Sequence, residues 1–332
     1  MDEKKYYSNQ RRVRANAHIR ELAATVSVSH KDFIQPLFVD EAVGKRTAIA
    51  TLNEINSDSK ASLLQQIESD IKNGITKFLL FPVPIAKAEK DFNYRFILEV
   101  YETIKKTFGN SIWVAADVCL CAYTAHGHCG ILNADRTRVL NDESVQALAN
   151  YSLQLAQAGA DCIAPSDMMD GRVREIRSIL NKNGYDDIAI MSYSAKFSSQ
   201  FYGPFRDACR STPGKGSSLQ DRKSYQISAF NANDAIASAL RDIEEGADIV
   251  MVKPALPYLD IIHELKRTIH QPIAAYHVSG EYQSIELLAQ QGIIERGKAH
   301  IEIWTSLKRG GANIIISYAA RYAEEWLKKI IF

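Results

Sequence analysis

The strongest constraint on folding is a rhythm. Short apolar runs alternate with amphipathic helical patterns along nearly the whole chain. The runs are residues 33–39, 77–81, 112–116, 161–164, 188–192, 249–252, 273–276 and 314–317, which makes eight. Most lack polar alternation, as parallel strands buried on both faces do. Between them, residues 144–158 carry Val145, Leu148, Ala149, Ser152 and Leu155 at helical spacing. Residues 234–245 and 259–269 repeat that pattern. Gly-Ala-Asp precedes two runs, at Gly159 and Gly246, and Gly311-Ala-Asn precedes a third. Glycine there fits a helix C-cap leading into a strand. Eight βα units in 332 residues predict an α/β (β/α)8 TIM barrel. A doubly wound sheet would need about six strands and usually a glycine-rich first turn, and no G-x-G-x-x-G occurs. The expected division is an N-terminal arm over residues 1–30, serving oligomerisation, and a catalytic barrel over 31–332. The arm should carry one short helix around residues 15–24.

In such a barrel the C-terminal strand ends face the active site. The third run ends in Asp117 and then Cys119-Leu-Cys121, with His126-Gly-His128-Cys129 following. Three cysteines in C-x-C-x7-C spacing predict a metal site. Thiolates favour soft or borderline ions, of which zinc is the commonest, and three ligands leave an open, catalytic position. His126 and His128 are alternative ligands, hydrogen-bond donors to the ligands, or proton carriers. Cys162, in a strand, and Cys209, in a polar loop, read as structural. The fourth tip carries Ser166 and the fifth Lys196. The sixth carries Lys253, directly after Ile-Val-Met-Val, and the seventh Ser279. The eighth carries Tyr318. A lysine at the end of a buried strand is desolvated and shifted toward its neutral form, and a second ammonium nearby pushes the same way. Neutral lysine attacks carbonyls to give a Schiff base. The long segment 201–228, with Tyr202, Arg206, Arg222 and Gln226, reads as a lid, and its arginines suit a carboxylate substrate.

Composition narrows the partners. A formal charge of +1 gives no global field for nucleic acid or a membrane surface. Basic residues do crowd the start, including Lys4 and Lys5. No apolar stretch is long enough to span a bilayer. Five cysteines, three of them clustered, and the lack of an apolar leader favour a reducing cytoplasm over a disulfide framework.

The residues Asp117–Gly130, Ala164–Arg172, Ser192–Asp207, Asp221–Gln226, Met251–Pro254 with Tyr258-Leu-Asp260, and Tyr276–Tyr282 together resemble the zinc-dependent porphobilinogen synthases, or 5-aminolevulinate dehydratases. The resemblance covers about residues 10–325. It implies a TIM barrel with an arm, usually in a homo-octamer, that condenses two 5-aminolevulinate molecules to porphobilinogen with loss of two waters, in tetrapyrrole biosynthesis. By motif, Lys253 would form the imine with the substrate of the propionate side and Lys196 with that of the acetate side. Ser279 and Tyr318 would hold the first carboxylate, and Arg206 and Arg222 the second. Cys119, Cys121 and Cys129 would bind zinc. Asp117 and Ser166 would line the site, with Tyr202 and Gln226 also at the substrate. Asp234 aligns near an allosteric magnesium glutamate of some members. Three departures stand out. Residues 82–101 lack the glycine and serine pattern expected there, Gln283-Ser284 replaces a small residue and a Met, and the lid is longer around Gly214-Lys-Gly216. Rival readings are an aldolase-like barrel with one imine lysine and a structural zinc, and an inactive zinc-binding scaffold.

Overall fold

The computed structural model describes residues 10–213 and 218–329. Lys4, Lys5 and the Gly214-Lys-Gly216 departure lie outside the described residues. Ten strands follow in chain order: β1 (Phe33–Asp40), β2 (Thr47–Ala48), β3 (Asn56–Asp58), β4 (Lys77–Val83), β5 (Trp113–Val118), β6 (Cys162–Pro165), β7 (Ala189–Lys196), β8 (Ile249–Lys253), β9 (Ile273–His277) and β10 (Ile314–Ser317). Eight of them pair in parallel in the order β1, β4, β5, β6, β7, β8, β9, β10. The ring closes where Phe33 and Ile34 of β1 register with Ile315 and Ile316 of β10. This is the expected (β/α)8 barrel. Each barrel strand overlaps an apolar run, because burial on both faces leaves no room for polar alternation. The short antiparallel pair β2–β3 hangs off the end of β1; it was not foreseen, since two exposed residues carry no periodic signal.

Helices lie outside the ring. The stretches expected as helices form at Asn141–Gln157, Ala232–Glu244 and Leu259–Thr268. Gly159 and Gly246 take φ of 100° and 105° after the first two, which L side chains rarely adopt. The N-terminal stretch forms a 3-10 turn at Gln10–Arg14 and a helix at Ala17–Leu22, and neither buries any residue. Asn16 caps that helix by accepting from the Ile19 N–H at 3.1 Å.

One fully buried polar knot braces the β6–β7 side of the barrel. Arg172, Asp167, Asp242 and Ser192 are all solvent-excluded. The Arg172 guanidinium donates to Asp242 Oδ2 at 3.1 Å and Ser192 Oγ at 3.1 Å, and Ser192 Oγ donates to Asp242 Oδ2 at 2.6 Å. Arg172 also donates to the Met169 carbonyl at 3.1 Å, so the loop after β6 is held to helix Ala232–Glu244. Removing one member strands a buried charge. Asp242→Ala is therefore expected to cost about 3–5 kcal/mol of unfolding free energy. Urea denaturation checks this, and a loss below about 1 kcal/mol would contradict the brace.

Candidate active site

The strand register brings the two lysines together. Lys196 and Lys253 end adjacent parallel strands, and their Cα atoms are register partners. Neighbouring strands lie about 4.8 Å apart, so two long amines rise side by side. A register shift between Ser192 and Ala195 of β7 precedes this pairing. Both lysines are buried, at 5% and 4% exposure. The Lys253 ammonium sits over the rings of Tyr276 at 4.1 Å, Phe205 at 4.9 Å, Tyr193 at 5.0 Å and Tyr202 at 5.4 Å. Lys196 Nζ lies 5.5 Å from the centre of the Tyr193 ring and donates to the Ser166 carbonyl.

Opposed forces act on the Lys253 charge. Ring faces attract an ammonium by about 2 kcal/mol at desolvated sites. Burial and the repulsion of Lys196 work against it and win, lowering the pKa from 10.5 to about 7. That shift corresponds to roughly 5 kcal/mol against the charged form. A large fraction of Lys253 is therefore a free amine at neutral pH. Asp117, at the tip of β5, faces the same space. Burial raises its carboxyl pKa, the two lysines restrain the rise, and Oδ1 has no hydrogen-bond partner.

The cysteine loop follows β5 directly. Cys119, Cys121 and Cys129 are buried, and one sulfur from each lies within 4.8 Å of the others. Cys119 Sγ and Cys121 Sγ are 3.2 Å apart. Tetrahedral zinc with Zn–S bonds of 2.3 Å needs sulfurs about 3.8 Å apart, so the set fits zinc with small adjustments. Hydrogen bonds from the Cys119 and Cys121 thiols, with the Arg222 and Lys196 charges, hold the Cys129 thiol well below its usual range. The two histidines are otherwise engaged. His128 Nε2 donates to the Leu219 carbonyl at 3.0 Å, and Nδ1 accepts from Tyr225 Oη at 3.1 Å. His126 Nδ1 accepts from the His128 N–H at 3.1 Å, and burial lowers its pKa to about 4. Both rings brace the loop.

The described part of segment 201–228 packs against these groups. Gly127, at φ of 75°, turns its carbonyl to Arg222 Nη2 at 2.9 Å; a Cβ there would come within 2.7 Å of the Thr212 carbonyl. Arg222 also donates to the Ser211 carbonyl at 2.7 Å. Arg206 Nε, Arg222 Nε and both amide atoms of Gln226 are buried without hydrogen-bond partners. Three of these four atoms are N–H donors, which calls for an acidic ligand. Ser279 and Tyr202 are placed differently. Ser279 Oγ accepts from the Phe205 N–H at 3.1 Å and donates to the Phe201 carbonyl at 3.2 Å. Tyr202 Oη lies 2.8 Å from the Phe197 carbonyl and 2.9 Å from that of Lys253. Tyr318 Oη accepts from Tyr276 Oη at 3.2 Å. Arg210 latches the lid to the tip of β1, donating to Asp40 Oδ2 at 2.7 Å.

Asp234 stands apart, exposed in the first turn of helix Ala232–Glu244. The described residues gather no group of three metal-ligating side chains around it. Cys162 is buried in β6. Cys209, also buried, follows lid helix Gly203–Ala208. Sequence reading passed over Tyr193, the ring shared by both lysines. It also passed over Lys87, which donates to the Ala122 carbonyl inside the cysteine loop. Residues 82–101, whose composition departs from expectation, thus pack on the cysteine loop, also through the Ala88–Thr124 bridge.

The chain matches the family described as "Delta-aminolevulinic acid dehydratase" over residues 7–326. It is 41% identical over 325 residues to the protein of that name from Bacillus subtilis (strain 168), covering 97% of this chain and 98% of the other. It is 42% identical over 317 residues to the one from Methanothermus sociabilis, covering 95% and 97%. Among solved structures it resembles delta-aminolevulinic acid dehydratase (porphobilinogen synthase) from Toxoplasma gondii ME49 in complex with its reaction product porphobilinogen. The TM-score there is 0.92 at 35% identity, covering 97% of this chain and 92% of the other.

If Lys253 carries the depressed pKa, its reactivity toward acetic anhydride should rise with a midpoint near pH 7. Competitive labelling read by peptide mass spectrometry checks this. A midpoint near 10 would contradict the aromatic, doubly cationic site.

Proposed function

The chain belongs to the delta-aminolevulinic acid dehydratase family, and from that premise we propose that it condenses two 5-aminolevulinate molecules to porphobilinogen through imines on Lys253 and Lys196. The observation that carries this reading is the register pairing of two buried lysines at adjacent strand tips.

The neutral Lys253 amine adds to the ketone of one substrate, and loss of water leaves a Schiff base. Lys196 does the same with the second molecule. A protonated imine acidifies the neighbouring C–H bonds, so carbon–carbon and carbon–nitrogen bonds can form between two copies of one compound. Imine exchange at the carbon that takes the ring nitrogen releases one lysine, elimination of the amine from the carbon that takes the new carbon–carbon bond releases the other, and two waters leave in all. Arg206 and Arg222 fit the second carboxylate, because their Nε–H groups are buried and unanswered. Gln226 adds an unpaired donor and acceptor beside them. Tyr318 and Ser279 fit the first carboxylate; Ser279 must trade its lid contacts for it. Asp117 and the Ser166 carbonyl orient the amines. Holding both substrates on rigid strand tips removes much of the entropic barrier of a two-substrate reaction. Tyr202 holds the Lys253 carbonyl.

Cys119, Cys121 and Cys129 suit zinc, which when bound supplies a Lewis acid with an open coordination position. A resident magnesium at Asp234 would need waters for most of its shell. All five cysteines are free and buried, which suits a reducing cytoplasm. No described helix is long and apolar enough to cross a membrane.

The domain division and assembly belong to the same reading. The described N-terminal residues, 10–30, include none that is buried, and Val13 and Leu22 are 47% and 81% exposed. An arm of residues 1–30 that wraps a second copy of the chain accounts for this, in a homo-oligomer of the octameric kind. Deleting residues 1–30 should yield a smaller species by light scattering, and an unchanged mass would refute the arm.

Purified protein incubated with 5-aminolevulinate and zinc should give a product that reacts with an acidic aldehyde reagent for pyrroles. Cys129→Ala should lose bound zinc and most of this product together. No colour above background from the wild type would sink the reading, and full metal content in the variant would refute the ligand set.

A further inference from the structure

Glu281 is a buried carboxylate that the condensation as described does not use. It sits in the first turn of helix Ser279–Gln290 at 4% exposure. One oxygen has a local task. Oε2 accepts from the Val278 N–H at 2.6 Å, three residues back, as glutamates at helix starts commonly do. That task needs one oxygen. Oε1 reaches across to a different strand tip and accepts from the Leu256 N–H at 2.7 Å. Leu256 lies three residues after Lys253, in the loop that leaves β8. No salt bridge to Glu281 is found among the described residues, and burial raises its pKa to about 8 against the opposing pull of backbone N–H groups and Lys253. Hydrogen bonds of 2.6 and 2.7 Å thus occupy both oxygens of the side chain.

The same tip is held from its other side. Tyr202 Oη lies 2.9 Å from the Lys253 carbonyl. Gly280, next to Glu281, packs under the lid so closely that a Cβ would come within 2.7 Å of the Phe201 carbonyl. The stretch Val278–Glu281 thus touches the Lys253 loop through Glu281 and the lid through Ser279 and Gly280. We propose that Glu281 is a positioning residue that ties the Lys253 loop to the Ser279 tip and so aims the Lys253 amine at the first substrate. The proposal rests on the two-imine reading above.

Geometry makes the role specific. Glutamine at 281 keeps the size but places an NH2 group against one of the two N–H donors. Aspartate keeps the carboxyl group but is one methylene short, so it serves one N–H and not both. Both variants should therefore loosen the Lys253 loop while leaving Lys196, held on the Ser166 carbonyl, in place.

The test is borohydride trapping of the full-length zinc enzyme with 5-aminolevulinate, read lysine by lysine by peptide mass spectrometry. In Glu281→Gln and Glu281→Asp, trapping at Lys253 should fall at least tenfold. Trapping at Lys196 should stay within twofold of wild type. In wild type, the Leu256 amide should resist hydrogen exchange, a readout that needs no variant to fold. Wild-type trapping at both lysines in the two variants, or rapid exchange at Leu256, would overturn the clamp. An equal fall at both lysines would also overturn it and show a general structural role. Failure of wild type to trap at either lysine would instead refute the two-imine reading.

Discussion

Everything at this site depends on one pairing. A parallel register sets two lysines side by side at the ends of β7 and β8. Two buried ammonium groups repel, and water is not there to screen them. The molecule resolves the conflict by lowering one of them, Lys253, toward neutrality. Its four-ring surround lets the amine be buried without a carboxylate ion pair, which would hold the proton on. One amine ready to attack and a second within reach are what a reaction between two ketones needs.

The rest of the structure serves that pair. The Arg172–Asp242–Ser192 knot fixes the loop that offers the Ser166 carbonyl to Lys196. Glu281 and Tyr202 fix the loop that carries Lys253. The cysteine loop is stiffened by its own histidines: His128 reaches the Leu219 carbonyl and Tyr225, and His126 Nδ1 accepts from the His128 N–H, while His126 Nε2 is buried without a hydrogen-bond partner. This leaves three sulfurs as the soft donors. The described part of segment 201–228 leaves Arg206 Nε, Arg222 Nε and the Gln226 amide unsatisfied, a cost of about 1–3 kcal/mol for each unpaired group. A substrate carboxylate would relieve that cost, which couples binding to closure.

Much of this was legible in the sequence. The barrel strands read clearly because burial on both faces leaves an apolar signature without alternation. The strand tips then followed from the barrel rule, and with them Asp117, Ser166, Lys196, Lys253 and Tyr318. β7 was less plain. Its run ends at Ser192 by composition, yet the strand continues through Tyr193 and Ser194 to Lys196. Those polar groups face a closed interior that composition does not reveal. The β2–β3 pair was illegible because it is too short to carry a period. Glu281 left a faint trace, its spacing from Val278, but the bond to Leu256 is a tertiary fact. The engagement of Ser279 and Tyr202 with backbone is likewise visible only once the lid is placed.

The central claim is that both lysines take substrate. The most direct measurement is a crystal structure of the zinc enzyme soaked with 5-aminolevulinate and reduced with borohydride. The account predicts continuous electron density from Nζ of Lys253 and from Nζ of Lys196, each into a five-carbon acid. The Lys196 adduct should place its carboxylate at Arg206 and Arg222. Density on one lysine alone, with the other amine free under saturating substrate, would contradict it.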